Sequence, residues 1–462
     1  MANELLLSYS VLDGGYQNGL IKKIEGEPAG STAEVNSITD PDETYVPLGP
    51  TEPDPKMFSF AYGRDPAILV ARVTSSVGSQ PSSCLYTLAA PEAGCGKAWK
   101  ILSRDVSLYS GSTQMATNPY GVAQVGNMLY IIDYDSQKIT LLGVNELNGL
   151  EAGSHSLAYT PYNVGTAAGL TANAKGQAII ALTNGGTAYL FALYAVADLH
   201  PYPTPPDYYP SVLVRMTIAA NGTPQYVDKL NTLALNAQEL IFTNAGGVNS
   251  LFIPAIGGPQ KSDGTTNGIA STLDEVDPFA ASMVRNIRIT GNPSATPNTA
   301  YDIRAFAAPS AGSGSSPVYI LTGTMGANYN QNWRLYSISL ANLRSLVNQP
   351  LSAAGLTTAD SGTNAPGNFW DIFYEAGTAA AGSRLWFLKG SPVYITAAEE
   401  YGDPEQLFDT GYGAGKIGGM NVDSVTLVTE TMKQAALGIS LKRGLRAIAP
   451  VLPPAEETEE DK

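Results

Sequence analysis

The stretch of residues 118–144 most constrains the fold, because short apolar runs alternate there with turn residues. The apolar runs and the turns between them are, in chain order, 121–125, Gly126-Asn127, 128–133, 134–137 and 138–144. Apolar runs of this length, bounded by turn residues, predict three β-strands in a meander. A meander this small buries too little apolar surface to fold alone, so it predicts packing against further units of the same kind.

Units with a similar pattern recur along the chain. The other full units cover residues 57–103, 169–218, 238–290, 302–340 and 369–397. Residues 420–429 and 435–442 supply only two further strands, and residues 4–24 supply two strands that belong to no unit. Pairing the first and last strands of the chain in one sheet would complete this last unit and remove open sheet edges.

The sequence therefore predicts an all-β fold, a seven-bladed β-propeller closed by its N- and C-terminal strands, with six or eight blades as alternative counts. An open solenoid is a second interpretation, but it does not explain why the missing strands occur at the opposite end of the chain. A pair of β-sandwiches is a third. Residues 1–445 are predicted to form a single domain with long excursions at 25–56, 198–211 and 259–280, followed by a disordered acidic tail at 446–462.

One unit also resembles a known group of propellers. Its residues Gly121-Val122, the run Leu129-Tyr130-Ile131, Asp133 and Ile139 are similar to a blade of the NHL and YVTN-like propeller families. The resemblance supports the predicted fold and implies scaffolding or binding. It carries over no functional residue.

Composition excludes some partners. The formal net charge of −15 disfavours nucleic acid by repulsion from phosphates, and no apolar run reaches the ~18 residues that cross a bilayer. The first residues, MANELLLSYSVLDGG, do not have the basic flank and apolar core of a signal peptide. Cys84 and Cys95 flank a hairpin-like segment in which a disulfide or two small buried side chains are equally good interpretations. An extracellular, cell-surface or periplasmic location is favoured.

The sequence contains no recognisable catalytic set. Its two histidines, His155 and His200, lie in polar segments away from a nucleophile motif. Residues 413–418 match G-x-G-x-x-G, but a predicted strand follows instead of the helix that a dinucleotide site needs. A binding role is therefore favoured over catalysis, and no cofactor is predicted.

Carboxylates give one candidate metal site. Asp133 and Asp135 lie two residues apart at a strand end, so their side chains point the same way. Carboxylate oxygens in such loops are typical calcium ligands, which predicts these two residues as ligands of a structural calcium ion. A solvated acidic loop is the alternative. Further acidic clusters lie at 40–43 and 263–277.

Aromatic side chains on turn-rich segments give the candidate binding residues. They are Tyr202, Tyr208, Tyr209, Tyr329 and Trp333. Rigid aromatic rings beside amide side chains suit recognition of a protein or a glycan. The sequence thus favours a non-enzymatic propeller that presents aromatic loops to such a partner. The alternatives are a calcium-dependent hydrolase or lactonase with its metal in a central channel, and a structural subunit of a surface layer or filament. The oligomeric state is not predicted.

Overall fold

The computed structural model describes strands from Glu4 to Pro450 and most of the central connections. The described residues are 4–13, 16–25, 46–50, 56–62, 65–74, 82–89, 100–110, 113–114, 119–134, 136–147, 156–158, 160–198, 207–237, 239–255, 257, 271–280, 282–288, 302–325, 330–346, 357–366, 372–375, 384–389, 416–421, 426–431 and 443–450. Side chains are described within residues 120–346.

The described strands form seven sheets, which we call A to G. Sheet A contains β1 (Glu4–Asp13), β2 (Tyr16–Glu25), β3 (Val46–Pro50) and β30 (Arg443–Pro450). Sheet B contains β4 (Lys56–Tyr62), β5 (Asp65–Thr74), β6 (Ser82–Ala89), β7 (Lys100–Ser110), β8 (Thr113–Gln114) and β12 (Ser156–Ala158). Sheet C contains β9 (Pro119–Val125), β10 (Met128–Asp133), β11 (Lys138–Gly143) and β13 (Thr160–Asn163).

The remaining sheets are built from strands that follow one another in the chain. Sheet D contains β14 (Ala174–Asn184), β15 (Thr187–Asp198), β16 (Asp207–Ile218) and β17 (Pro224–Leu235). Sheet E contains β18 (Ile241–Thr243), β19 (Ser250–Ala255), β20 (Thr272–Asp277) and β21 (Ser282–Arg288). Sheet F contains β22 (Asp302–Ala307), β23 (Pro317–Met325), β24 (Asn330–Ser339) and β25 (Thr357–Pro366). Sheet G contains β26 (Ile372–Glu375), β27 (Arg384–Lys389), β28 (Lys416–Asn421) and β29 (Thr426–Thr431).

The predicted meander at residues 118–144 is confirmed as β9, β10 and β11. Antiparallel pairing joins β10 to both neighbours, and Gly126 turns the chain between β9 and β10 with a φ of 55°. Only glycine adopts this left-handed conformation without steric cost. A fourth strand, β13, pairs with β11 after a long connection.

Two short helices have side-chain caps. Asn163 accepts a hydrogen bond from Thr166 N at the start of α1 (Val164–Ala168), which ends at Gly169 with a φ of 58°. Ser339 accepts one from Asn342 N at the start of α2 (Leu340–Ser345). Such caps satisfy backbone N–H groups that have no partner within the helix. No helix in the described part of the chain is long and apolar enough to cross a membrane.

The two ends of the described chain meet in sheet A. β1 pairs antiparallel with β30, from Leu5 opposite Pro450 to Val11 opposite Arg443. This pairing agrees with the prediction that the two ends of the chain share a sheet, but the pairing strand is Arg443–Pro450, and the predicted last strand at 435–442 lies outside the described residues. β30 extends to Pro450, so its last five residues fall within the range 446–462 that the sequence predicts as a tail. The short apolar run 447–449 was obscured by the prolines and acidic residues that follow it.

The three predicted excursions also contain regular strands. The first contains β3, the second contains the start of β16, and the third contains β20. Pro210 lies within β16 at a register shift next to Val212, which is a position where a strand accepts proline. The sequence TLDEVD of β20 looks like an acidic loop, but the strand is buried over most of its length.

The apolar core lies between successive sheets. One cluster joins sheets C and D through residues such as Tyr130, Ile132 and Leu190. Phe191, the next residue of β15, belongs instead to the cluster between sheets D and E. Phe252 and Phe306 pack together in a third cluster between sheets E and F, with ring centroids 5.0 Å apart. Because successive residues of a strand point to opposite faces, sheets D and E each bury both faces.

One strand at the edge of each of several sheets contacts the corresponding strand of a neighbouring sheet. β4 contacts β9, β9 contacts β14, β22 contacts β26, and β30 contacts both β26 and β4. Between sheets D and E the contacts run from β17 to β19, β20 and β21. Neighbouring sheets therefore pack on one another along the chain, and β30 of sheet A contacts one strand of sheet B and one of sheet G.

Candidate functional site

Several strand ends of sheets C and D lie together and carry polar and aromatic side chains. β10 ends at this point, β14 begins there, and the connection from β15 to β16 leaves and returns there. We call this region the polar end. Its residues are Tyr120, Asp133, Tyr134, Ser136, Gln137, Asn173, Lys175, Tyr194, Asp198 and Tyr209.

Asp133 organises the turn between β10 and β11. Its side chain is buried, and its Oδ2 atom accepts a hydrogen bond from the Ser136 backbone N–H at 2.7 Å. Side chains of this type commonly stabilise turns by bonding to the backbone a few residues on. Asp135, the other predicted calcium ligand, lies outside the described residues. Within the described residues no three acidic, histidine or cysteine side chains come together as a metal site. The calcium site stays a prediction.

The turn of sheet C is tied closely to the start of β14 in sheet D. The Gln137 side chain donates hydrogen bonds to the carbonyl oxygens of Thr171 and Ala174, and the Gln137 carbonyl accepts one from Gly165 N at 3.1 Å. Gly176 lies directly against Asp133, and a Cβ atom there would overlap the Asp133 carbonyl oxygen. Glycine at this position therefore allows the two backbones their close approach.

Tyr194 lies across from Gly176 in the β14–β15 pair and is fully buried. Its hydroxyl has no hydrogen-bond partner among the described residues. Burial raises the pKa of Tyr194 far above the usual value for tyrosine, and the nearby Asp133 and Tyr162 raise it further. The hydroxyl therefore keeps its proton in neutral solution.

Two more buried oxygen atoms of the polar end have no partner within the described part of the chain. They are Ser136 Oγ and Asn173 Oδ1. Both residues are only partly buried as a whole, so their oxygen atoms point inward and not toward solvent. Buried polar atoms in proteins nearly always have a partner, so three such atoms in one region require an explanation.

Aromatic rings border the same region. The Tyr120 and Tyr134 rings lie 4.8 Å apart, and Lys175 Nζ lies 5.6 Å from the centroid of the Tyr134 ring. Tyr209 is 44% exposed and donates a hydrogen bond to Asp198 Oδ2 at 2.9 Å. Asn173 Nδ2 donates to the other oxygen of Asp198 at 2.7 Å. These bonds hold the Tyr209 ring at the edge of the polar end.

The structure describes the other predicted site residues only in part. Tyr208 is partly buried, and burial raises the pKa of its hydroxyl. The backbone of Trp333 lies on β24 opposite Gly323 and Gly362. The structure does not describe the Trp333 side chain. Tyr202 and Tyr329 lie outside the described residues, so their binding role stays a prediction.

The predicted disulfide is also untested, because Cys95 lies outside the described residues. Cys84 pairs with Ser107 near the start of β6, whereas the connection toward Cys95 leaves from the other end of that strand at Ala89. The disulfide therefore stays a prediction.

A second polar cluster joins sheets E and F. The buried Glu275 forms ion pairs with Arg285 and Arg344, the latter with a 2.9 Å distance from Nε to Oε1. Ser250 Oγ donates to Glu275 Oε1 at 2.6 Å and accepts from Arg344 Nη2 at 2.9 Å. Glu275 itself is enclosed and the two arginines are largely buried between strands and α2, which identifies the cluster as part of the scaffold. Its acidic residues were predicted to lie on a loop.

The buried hydroxyl of Tyr130, in the core between sheets C and D, should make the stability of the protein depend on pH. Its hydroxyl donates to the Gly222 carbonyl at 2.7 Å, and burial raises its pKa to about 12. Unfolded tyrosine titrates near pH ~10, so the folded protein keeps a proton that the unfolded chain releases between about pH 10 and 12. We expect the free energy of unfolding to fall across this range, by at most about 2–3 kcal/mol for this residue.

Urea unfolding at several pH values checks this expectation. The Tyr130→Phe variant should show a weaker loss of stability above pH ~10, after an initial cost of about 1 kcal/mol for the lost hydrogen bond. Tyr194→Phe should weaken the alkaline loss as well, without the initial cost because its hydroxyl has no partner to lose. The same pH dependence in both variants and the wild type would contradict the argument.

Comparisons with known proteins give fold-level similarity only. No protein-family model and no curated protein matches the sequence. Among solved structures, apo AztD from Citrobacter koseri is 10% identical, with a TM-score of 0.43 and 98% of each chain covered. A mutant of the Synechocystis apocarotenoid oxygenase is 11% identical, with a TM-score of 0.40 and coverage of 94% of this chain and 90% of that one.

A third solved structure is similar over a smaller share of its own length. Trypanosoma rangeli sialidase in complex with the inhibitor DANA is 10% identical, with a TM-score of 0.39 and coverage of 79% of this chain and 56% of that one. At TM-scores of 0.43 or less, these similarities assign neither a family nor a function to the chain. Its role must be argued from its own residues.

Proposed function

We propose that the chain is a seven-bladed β-propeller, closed through sheet A, that acts as a non-enzymatic binding scaffold. The proposal is supported by the repeated four-stranded sheets, by the packing of each sheet on its neighbours, and by the β1–β30 pair. A closed ring removes sheet edges that would otherwise invite aggregation. Similarity of residues 121–139 to NHL and YVTN-like blades agrees with this architecture.

The polar end is the proposed recognition surface. The observation that carries this proposal is the anchoring of the exposed Tyr209 ring by Asp198 and Asn173, next to the Tyr120–Tyr134 ring pair. Rings held in place before binding lose little conformational entropy when a partner arrives. The partner is a protein or a glycan, and its site includes the predicted residues Tyr202 of the β15–β16 connection and Tyr208 and Tyr209 at the start of β16.

Binding assays on surface variants test the recognition surface. The wild type would be screened against a glycan array and in pull-downs from cell-surface extracts, with captured proteins identified by mass spectrometry. Replacing both the half-buried Tyr134 and the exposed Tyr209 by alanine should weaken binding of the selected partner at least tenfold, because aromatic anchors at the centre of an interface commonly contribute more than 1 kcal/mol each.

Tyr226→Ala is the matched control. Tyr226 is 38% exposed near the start of β17, at the opposite end of sheet D, and its loss should leave binding unchanged. Circular dichroism of all variants would confirm that they fold. If the double variant binds every selected partner as tightly as the wild type does, the polar end is not the recognition surface.

The alternatives make different predictions. A calcium-dependent hydrolase would retain calcium through purification without chelators and lose activity after its removal, and elemental analysis tests this directly. A subunit of a surface layer or filament would assemble as its concentration increases. We favour binding outside the cytoplasm, which agrees with aromatic display and with a Cys84–Cys95 disulfide if one forms.

A further inference from the structure

We propose that Asn184 is a site of spontaneous chemical modification, at which the asparagine converts to aspartate and isoaspartate through a succinimide ring. The proposal starts from the dipeptide Asn184-Gly185 in the turn between β14 and β15. Glycine after asparagine leaves the backbone nitrogen unshielded by a side chain, so this nitrogen can reach the neighbouring amide carbon. The modification is independent of the proposed binding role, because it needs neither a partner nor an enzyme.

The β14–β15 turn, residues 184–187, presents this dipeptide to solvent. Asn184 pairs with Thr187 across the hairpin, so only Gly185 and Gly186 lie between the two strands. The two glycines have φ angles of 56° and 80°, as in the two-residue turns that hairpins favour. Residues 183–187 are all exposed, and no atom beyond the adjoining residues lies within 4 Å of a Cβ position at either glycine. Water and base therefore reach the turn.

The attacking atom, Gly185 N, is available for the reaction. In a two-residue hairpin turn the closing hydrogen bonds join the flanking residues, which are Asn184 and Thr187 here. No backbone group in the described part of the chain accepts a hydrogen bond from Gly185 N. This nitrogen can therefore lose its proton to base and approach Asn184 Cγ without first breaking a hydrogen bond.

The reaction balances without a cofactor. Gly185 N attacks Asn184 Cγ, a new C–N bond closes the succinimide ring, and the bond from Cγ to Nδ2 breaks. The proton of Gly185 N goes to base, and Nδ2 takes up a proton and leaves as ammonia. Water then opens the ring. Opening at the Cγ carbonyl gives aspartate, whereas opening at the backbone carbonyl gives isoaspartate, in which the main chain continues through Cγ.

A second Asn-Gly dipeptide in the same sheet is protected by hydrogen bonds. It lies in the turn between β16 and β17, where Gly222 N donates to the Ala219 carbonyl at 2.8 Å. Asn221 Oδ1 accepts a hydrogen bond from Thr223 N at 3.1 Å. The first bond must break before Gly222 N can attack, and the second holds the Asn221 amide in place. The fold therefore slows the same reaction at Asn221.

A third Asn-Gly dipeptide is held within a sheet. Asn18-Gly19 belongs to β2, which pairs with β1 over both residues and with β3 at Asn18. Pairing on two sides restrains the backbone rotation that ring closure requires. The structure therefore favours Asn184 over the other two Asn-Gly dipeptides in its described part.

The modified turn lies far from the proposed recognition surface. β14 begins and β15 ends at the polar end, so the β14–β15 turn lies at the opposite end of sheet D. Conversion adds a negative charge there, and isoaspartate also lengthens the backbone next to Thr187. Binding at the polar end should not change, so the failure of this proposal and the failure of the proposed function give different results.

Incubation of the full chain in neutral and in mildly alkaline buffer tests the proposal. Peptide mapping by mass spectrometry follows each Asn-Gly peptide, and an isoaspartate-specific methyltransferase with labelled S-adenosylmethionine detects the rearranged product. The Asn184 peptide should convert at least about tenfold faster than the Asn221 peptide, which has two hydrogen bonds to break. Conversion should be faster at the higher pH, and Asn184→Gln should remove the signal from the turn.

The urea-unfolded chain is the matched control. Without the fold neither dipeptide is restrained, so Asn184 and Asn221 should convert at similar rates. If Asn184 stays intact in the folded chain, or if Asn221 converts as fast there, the proposal is overturned. A rate difference that persists unchanged in urea would also overturn it, because the folded turn would then not be the cause.

Discussion

Truncation after Lys442 should prevent the chain from folding cooperatively. It removes β30, which pairs with β1 along most of its length and contacts both β4 and β26. The loss leaves β1 as an exposed edge strand and opens sheet A on the side that packs on sheets B and G. We expect a loss of several kcal/mol of stability together with aggregation, because exposed edges template intermolecular pairing. Thermal unfolding and size-exclusion chromatography measure both effects.

Truncation after Pro450 is the matched control for this experiment. It removes the acidic tail but keeps β30 intact, so the unfolding midpoint should equal that of the full chain. The two truncations differ only in residues 443–450. If they unfold at the same temperature and remain equally soluble, sheet A does not depend on its C-terminal strand, and the proposed ring closure is wrong.

Local sequence predicted those parts of the fold that depend on local interactions. The run at 128–133 became β10 because apolar residues alternate with turn residues nearby. Counting strands indicated that the two ends of the chain share a sheet. It placed residues 420–429 in that last unit, however, whereas these residues overlap β28 and β29 of sheet G. β20 could not be predicted in this way. Its buried Glu275 is neutralised by Arg344, 69 residues further along the chain, and no local pattern records that contact.

The candidate site was predicted to a similar extent. The turn-rich segment around Tyr209 predicted it as a partner-binding residue. The two-residue spacing of Asp133 and Asp135 at a strand end predicted Asp133 as a calcium ligand. Tyr194 was missed because it lies in the apolar sequence FALYAVAD, where a tyrosine is typical of a core position. Only the structure shows that its hydroxyl has no partner. The Asn173–Asp198 hydrogen bond likewise joins residues 25 positions apart, which the β14–β15 hairpin brings together.

Replacing Glu275 by alanine should destabilise the protein by about 3–5 kcal/mol, the usual cost of removing one partner from a buried ion pair. Glu275 has a 1% exposed side chain between the guanidinium groups of Arg285 and Arg344, and its loss leaves both charges without their carboxylate. Arg285 Nε already has no partner within the described residues, so this guanidinium has few alternatives. Urea denaturation measures the change in the free energy of unfolding, which is calculated from the midpoint and slope of the transition.

A surface ion pair supplies the control. Asp228 bonds to Arg215 in sheet D with a 2.9 Å distance from Nε to Oδ1, and its side chain is 40% exposed. Asp228→Asn should cost less than about 1 kcal/mol, because water replaces much of the interaction. If Glu275→Ala costs no more than Asp228→Asn does, the Glu275 cluster does not hold sheets E and F together.

A double variant separates loss of the pair from burial of an unpaired charge. Combining Glu275→Gln with Arg344→Met removes the carboxylate and one of the two guanidinium groups that flank it. It should be more stable than Glu275→Gln alone, because an unpaired buried charge costs more than an absent pair. An additive cycle would mean that Glu275 and Arg344 act independently. A coupling energy of more than about 1 kcal/mol would identify the cluster as the joint between β20 and α2.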